Sequence, residues 1–523
     1  MKMTKILLLI LYIFQMNNCE EKKYLYRCGV DDKDITPLPA TNFIPIDKGK
    51  KDRRLNDVEY KDFHIYLDLL NIKKDIINFH LEEYEDLFIS SLNKAVETLQ
   101  TLLKVRKLKN AYMFLDSQIT DMGIEVWNKT VIGNNSIGDT NSLGIDLFIF
   151  GRLDDEMDPH TLATAGPRLI VPETGQPLVG LVNINTKVDY SKINSKEYFQ
   201  SIILHEFTHI LGFLNYHFIN FFHNMGTKVD DFGVTRYYIN SSKVIEVAKK
   251  YYNCPEIDGI ELEESGGEGT AGSHWEARIL LGDYMNGVVY PEEQVISEFT
   301  LALLEDTGYY KANYYTGGLM QYGRGKGCDF IKKRCVNEEH EINPLFENEF
   351  YDSVKAASLM DASCSSGRQS RTYRAWWLYN DLPTYYQYFP NQQYGGYSAA
   401  DYCPVSKEYG TETESSYYSG HCSLKGNGEY GTRIYYETRE EIRINETHVS
   451  YEIKYHNFTS EKLKPYTGET FSDHSFCYQS SLIKENVDIN ADVVRAICYE
   501  SFCSELSLTI KINDEYVQEV EEK

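Results

Sequence analysis

His205-Glu206-Phe207-Thr208-His209-Ile210-Leu211-Gly212-Phe213 is the stretch on which the reading of this chain turns. It continues an apolar-faced run that begins at Tyr198, and the spacing predicts a helix. Positions four apart on a helix lie one turn above each other on the same side. His205 and His209 can therefore reach one ion, with Glu206 beside them. Two neutral imidazoles at this spacing can hold Zn²⁺ and leave coordination positions open. The ion lowers the pKa of a water it holds, and the Glu206 carboxylate takes the proton as that water attacks a carbonyl. A surface helix can also carry these residues with two solvated histidines, so the pattern needs support from elsewhere in the chain.

Gly212 supplies the first support. A glycine three residues after the second histidine lets the chain turn sharply off the helix and bring back a third ligand, the extended form found in metzincins. In the usual form that ligand is a histidine at position 215, and here Asn215 stands there, so the third ligand is expected further on. His217 and His223 lie in an apolar-aromatic stretch, Tyr216 to Asn224, where a histidine is more often a packed or surface side chain. His274 lies in the glycine-rich run Gly266-Gly-Glu-Gly-Thr-Ala-Gly-Ser-His-Trp-Glu276, which can bring backbone and side chain close to a site. Asp283-Tyr-Met-Asn-Gly287 follows, a tight turn with an apolar Met285 that has the form of a Met-turn beneath a zinc. Together these features select His274 over the acidic alternative Glu276.

The chain has 523 residues, enough for two or three domains or subdomains, with an ordinary globular composition of 42% hydrophobic residues. Its 53 Lys and Arg against 78 Asp and Glu give a formal charge of −25, which argues against nucleic acid or an anionic membrane as partner. Met1-Lys-Met-Thr-Lys5 followed by the apolar run Ile6 to Phe14 predicts a signal peptide over residues 1–19, and hence a secreted product or one in the lumen of the secretory or endosomal pathway. The charged end, Tyr516 to Lys523, predicts neither a transmembrane helix nor a GPI-anchor signal.

Of 11 cysteines, Cys19 is expected to leave with the signal, and eight of the remaining ten lie beyond residue 320, which predicts a disulfide-rich C-terminal part. Sequons at Asn128, Asn134, Asn240, Asn445 and Asn457 are candidate glycan sites. Residues 20–54 are polar and aperiodic and read as a prosegment. Its Cys28 either fills the open zinc position and keeps the enzyme latent, or is half of a disulfide. Phe63 to Leu70, Leu143 to Phe150 and Pro177 to Asn185 read as strands, and Tyr84 to Leu108 as one long amphipathic helix. The strand just before the active helix, with Gly180 and Val182, is the candidate edge that pairs with an extended substrate, against the plainer reading of a core strand.

These residues carry a resemblance. His205 to Phe213, Tyr252-Asn-Cys-Pro255, Gly266 to Glu276, Asp283 to Gly287, Thr300 to Tyr309, Gly325 to Phe330 and Asp401-Tyr-Cys-Pro404 are similar to the leishmanolysin family of metallopeptidases, over about residues 60 to 420. The resemblance implies an α+β fold: a metzincin-type catalytic domain split by a long insertion, then the disulfide-rich domain. It implies subdomains over 55–212, 213–327 and 328–523, the central one holding the third ligand and the Met-turn. It further implies one Zn²⁺ per chain on His205, His209 and His274, Glu206 as base, and protein or peptide substrates. Disulfides are implied between Cys254 and Cys328 and between Cys335 and Cys403. Cys28 matches the family's latency cysteine in part, since the following His-Asp is here Val30-Asp31. Family members also occur as anchored surface forms, and the charged tail departs from them.

Two function classes follow. One is a secreted zinc endopeptidase made as a zymogen. The other is an idle relative that uses its C-terminal half for cell adhesion, which the intact motif disfavours.

Overall fold

The computed structural model describes residues 38–39, 58–108, and 145–408 apart from 160, 194–195, 231–232, 265–269, 288–293, 315–319, 347–348, 352–362, 366–367, 369–370 and 375. Beyond these it describes 422, 437–445, 448–455, 470, 472, 474–480, 495–503, 507–513 and 516–521. The expected signal peptide, Cys28, Asn128, Asn134 and Asn457 lie outside the described residues. The fold mixes helices and sheets, as α+β, with four disulfides among the described residues.

The site is built on one five-stranded sheet. Its strands are β1 (Leu38–Pro39), β3 (Ile65–Asp68), β5 (Leu147–Asp154), β6 (Ala163–Ile170) and β7 (Pro177–Asn185), in the order β1-β6-β7-β5-β3. A separate short sheet contains β2 (Tyr60–Asp62). β3, β5 and β7 run parallel, and β6 runs antiparallel to β7. Alternation along the strands divides two cores. Leu147 and Ile149 of β5 and Val182 and Ile184 of β7 face α1 (Leu70–Asn78), α2 (Glu85–Leu102) and α3 (Lys196–Ile210). Phe148, Phe150 and Leu181 enter a smaller cluster on the other face.

Two expectations are corrected here. The helix expected over 84–108 ends at Leu102, and β4 (Leu103–Arg106) follows, pairing with β2 and with β11 (Tyr310–Ala312). Leu103 and Val105 are buried at a period of two, which the helical face through Leu99 masks in the sequence. The second correction is larger. β7 is buried along its whole length and lies between β5 and β6, so Gly180 and Val182 are not on an edge. The strand outside β7 is β6, whose outer side is paired among the described residues only at Leu169 and Ile170, by the two-residue β1; its sequence, Ala-Thr-Ala-Gly-Pro-Arg-Leu-Ile, has weak strand propensity. Pro167 in it fits an outer strand with an irregular register. Gly180 instead allows α3 to approach: a Cβ there would collide with Ile210 Cγ2 and lie 2.8 Å from its Cδ1.

After α3 the chain forms an antiparallel sheet of β8 (Met225–Val229), β9 (Thr235–Ile239) and β10 (Ile260–Leu262), with α4 (Ser242–Tyr252) inserted between β9 and β10. Short α5 (Ala277–Leu280) and α6 (Glu298–Asp306) follow. Cys254–Cys328 and Cys335–Cys403 pair as the resemblance implied. Cys364–Cys477 and Cys422–Cys498 cluster apart from the main core, with Cys477 and Cys498 opposite each other on neighbouring strands of a four-stranded antiparallel sheet over residues 475–521. With eight of the ten cysteines paired, Cys28 and Cys503 remain, and the side chains of both lie outside the described residues.

Candidate metal centre

The last turns of α3 are sunk in the core: His205, Glu206, Thr208 and His209 are all fully buried. Gly212 then turns the chain at a φ of +106°, a conformation glycine adopts without a Cβ penalty. This places the Phe213 carbonyl 2.7 Å from His209 Nδ1. Asn215 is packed against the returning loop. Its N–H donates to Ser273 Oγ at 3.2 Å, and its side-chain nitrogen lies 3.2 Å from where a Cβ on Gly272 would be. The position that lacks the expected histidine thus helps seat the loop that delivers His274, which is fully buried.

The three imidazoles meet. His205 Nε2 is 2.9 Å from His209 Nε2 and 3.2 Å from His274 Nε2. Each Nδ1 lies against a backbone carbonyl: His205 on Tyr284 at 2.5 Å, His209 on Phe213 at 2.7 Å, His274 on Thr270 at 2.8 Å. A carbonyl only accepts, so each Nδ1 carries the hydrogen, and in a neutral ring each Nε2 is then a bare lone pair. Burial, followed by neighbouring histidine charge, lowers His205 to about 3 and holds His209 well below the ordinary imidazole range. Burial lowers His274 to about 4. Three neutral acceptors converging without a hydrogen between them repel one another unless a cation sits among them. All-nitrogen donors at this spacing fit Zn²⁺, and the Nδ1 carbonyls supply the outer contacts that orient such ligands.

The remaining histidines are elsewhere. Buried His217 places Nε2 3.0 Å from the Gly175 carbonyl, and His223 is exposed at a left-handed φ of +48°. Glu276 caps α5, its side chain accepting from Arg278 N–H at 2.8 Å, and joins a different cluster. Met285 is fully buried in a turn closed by the Asn286 N–H on the Asp283 carbonyl at 3.0 Å.

Sequence reasoning missed the groups that hold this turn in place. Tyr284 serves twice, through its carbonyl to His205 and through its hydroxyl, 3.0 Å from Thr208 Oγ1. Asp283 accepts from the Met285 N–H at 2.6 Å and from Thr300 Oγ1 at 3.0 Å, and Trp275 Nε1 donates to Thr300 Oγ1 at 2.9 Å. Burial raises the Asp283 carboxyl to about 6 against these hydrogen bonds. Thr300, Asp283, Trp275 and Tyr284 all stand within the motifs that carry the resemblance, so a signal existed, but nothing in those motifs shows which of these side chains pair. Of the candidate glycan sites, Asn240 is exposed, and Asn445 ends the described strand Glu437–Asn445.

The family model for leishmanolysin matches residues 73–519. The chain belongs to the leishmanolysin family. The match runs well past residue 430, where the resemblance in sequence fades. Among family relatives, leishmanolysin of Leishmania chagasi is 27% identical over 399 residues, 73% of this chain and 59% of that protein. The leishmanolysin-like peptidase of Caenorhabditis briggsae is 33% identical over 216 residues, 37% of this chain and 31% of its own. The leishmanolysin homolog of Crithidia fasciculata is 33% identical over 246 residues, 44% and 34%. The chain thus spans between 31% and 59% of the length of these curated relatives. Among the described residues no helix is long and apolar enough to cross a membrane.

Proposed function

We propose that the chain is a zinc-dependent endopeptidase, with a metzincin-type catalytic domain split by the insertion between Gly212 and His274, exported and held latent by its N-terminal segment. The observation that carries the reading is the convergence of three hydrogen-free Nε2 atoms beside a buried glutamate. His205, His209 and His274 are the ligands, one Zn²⁺ per chain, with Met285 in the turn beneath them. When bound, Zn²⁺ supplies a Lewis acid that polarises the scissile carbonyl and makes a water more acidic. Glu206, one residue from His205, takes the proton of the attacking water and passes it to the leaving amine. The carbonyls of Tyr284, Phe213 and Thr270 hold the imidazoles in one tautomer, so protein or peptide substrate meets a preset site.

An extended substrate pairs with β6, the strand beside β7, by main-chain hydrogen bonds. The latency reading is supported at the same place, because β1 lies parallel on β6, Leu38 opposite Leu169 and Pro39 opposite Ile170. Part of the substrate edge is thereby occupied by the N-terminal segment, ten residues after Cys28. The subdomain boundary at Gly212 is supported by the helix exit there.

The test is turnover of casein by purified protein, before and after removal of residues 20–54, with zinc measured in parallel. Cleavage by wild type and none by zinc-loaded Glu206→Ala is expected. Equal cleavage by both contradicts the assignment of the base, and no cleavage by either contradicts the enzyme.

A further inference from the structure

A second cluster lies behind the loop that carries His274. Glu263 and Glu264 leave the end of β10, and Glu276 begins α5; one carboxylate oxygen from each lies within 4.8 Å of the others. Glu263 is 2% exposed and Glu276 fully buried. Two guanidinium groups pair with the acidic side chains around the cluster. Arg236 meets Asp230 at 3.2 Å, Glu264 at 2.5 Å and Asp401 at 2.7 Å, while Arg278 meets Glu261 at 2.8 Å. Four carboxylates thus share these two guanidinium groups. Carboxylates withdrawn from water in excess of their partners are costly unless a cation or protons offset them.

The individual oxygens point to a cation. Glu276 Oε1 is engaged by the Arg278 N–H at 2.8 Å, while Oε2, fully buried, has no hydrogen-bond partner among the described residues. Glu264 Oε1 accepts from Arg236 and, at 2.8 Å, from Tyr386, and its buried Oε2 likewise has no partner among the described residues. An all-oxygen donor set suits a hard ion, and the spread of the oxygens suits Ca²⁺, which binds oxygen at about 2.3–2.6 Å in flexible geometry, better than the smaller Mg²⁺.

We propose that Glu263, Glu264 and Glu276 form a second metal site, for a hard divalent cation of calcium size, separate from the three histidines. It braces the zinc loop. The Glu263 N–H donates to the His274 carbonyl at 3.0 Å, and the Glu263 carbonyl accepts from the Gly272 N–H at 2.8 Å. An ion on the three carboxylates ties the end of β10 to both flanks of His274.

The site is independent of the peptidase reading, and zinc content keeps the two apart. Full-length protein, Glu264→Gln and Glu276→Gln are equilibrated with calcium chloride and zinc, gel-filtered and assayed by plasma emission. The thermal midpoint is read with and without calcium. Expected is one calcium beside one zinc in wild type, with a midpoint raised by calcium. Each variant keeps its zinc, binds calcium at least an order of magnitude more weakly, and shows no calcium-dependent rise. If Glu276→Gln does not fold, wild type and Glu264→Gln carry the comparison. No calcium on wild type at millimolar concentration overturns the proposal, because the carboxyl groups then hold protons. Calcium bound equally by wild type and Glu264→Gln overturns it too.

Discussion

Each of the three site histidines is oriented through Nδ1 by a backbone carbonyl, which leaves its Nε2 lone pair turned toward the other two rings. Removing one ring removes one of three donors, so His274→Ala is expected to lose zinc while remaining folded, as metal analysis and circular dichroism would show. Glu206→Gln keeps the shape and loses the base. Activity should fall at least about a hundredfold, the lower end of what general bases contribute, with zinc retained; a smaller loss with zinc in place moves the base elsewhere. Acidity acts on the same rings. His205 and His274 titrate at about 3 and about 4 when folded, against 6.5 in the unfolded chain. Between those values the unfolded chain binds protons that the folded chain does not, so their contribution is full above 6.5 and is lost as pH falls toward 4 and 3. The melting temperature of zinc-free protein should decline through that window, and a flat profile contradicts the buried neutral triad. At this scale the sequence was readable where chemistry dictates residue type. His205, Glu206 and His209 are visible from spacing, and His274 from its glycine-rich loop. Tyr284 was not, because its main service to His205 comes from a carbonyl that any residue carries.

Among the elements, β6 is the strand on which the proposed substrate pairing rests. It escaped notice because Ala163, Gly166 and Pro167 blur the strand pattern, and β7, strongly apolar and next to the active helix, took its place in the reading. A buried, mainly apolar run marks an interior strand better than an edge. Gly180 follows from this placement. Gly180→Ala pushes a methyl into Ile210 on α3, and overpacking of this kind costs about 1–3 kcal/mol. Chemical denaturation should show that loss; an unchanged midpoint means α3 shifts freely, against the close packing seen here. β1 makes a separate prediction. Protein lacking residues 20–54 should cleave peptides faster than the full chain, and equal rates would mean that the β1–β6 pairing does not obstruct the edge.

For the molecule as a whole, the cysteines divide the labour. Cys254–Cys328 and Cys335–Cys403 tie the segments around the metal centre, while Cys364–Cys477 and Cys422–Cys498 form a cluster of their own. Cys364 and Cys477 are 113 residues apart, and closing so long a loop stabilises by about 5 kcal/mol in the chain-entropy account. Replacing both by serine should lower the first unfolding transition and leave zinc content unchanged. Simultaneous loss of zinc would show that the C-terminal part supports the centre. Count and position told the sequence reader where disulfides cluster; the latter two pairings depend on strand contacts, such as Cys477 opposite Cys498, that no spacing reveals. The central claim is that one zinc is held by His205, His209 and His274. X-ray absorption at the zinc edge of the purified chain tests it most directly. Three imidazole nitrogens at about 2.0–2.1 Å are predicted, with one lost in any zinc that His274→Ala retains. A spectrum with fewer than three imidazoles, or one unchanged by His274→Ala, contradicts it.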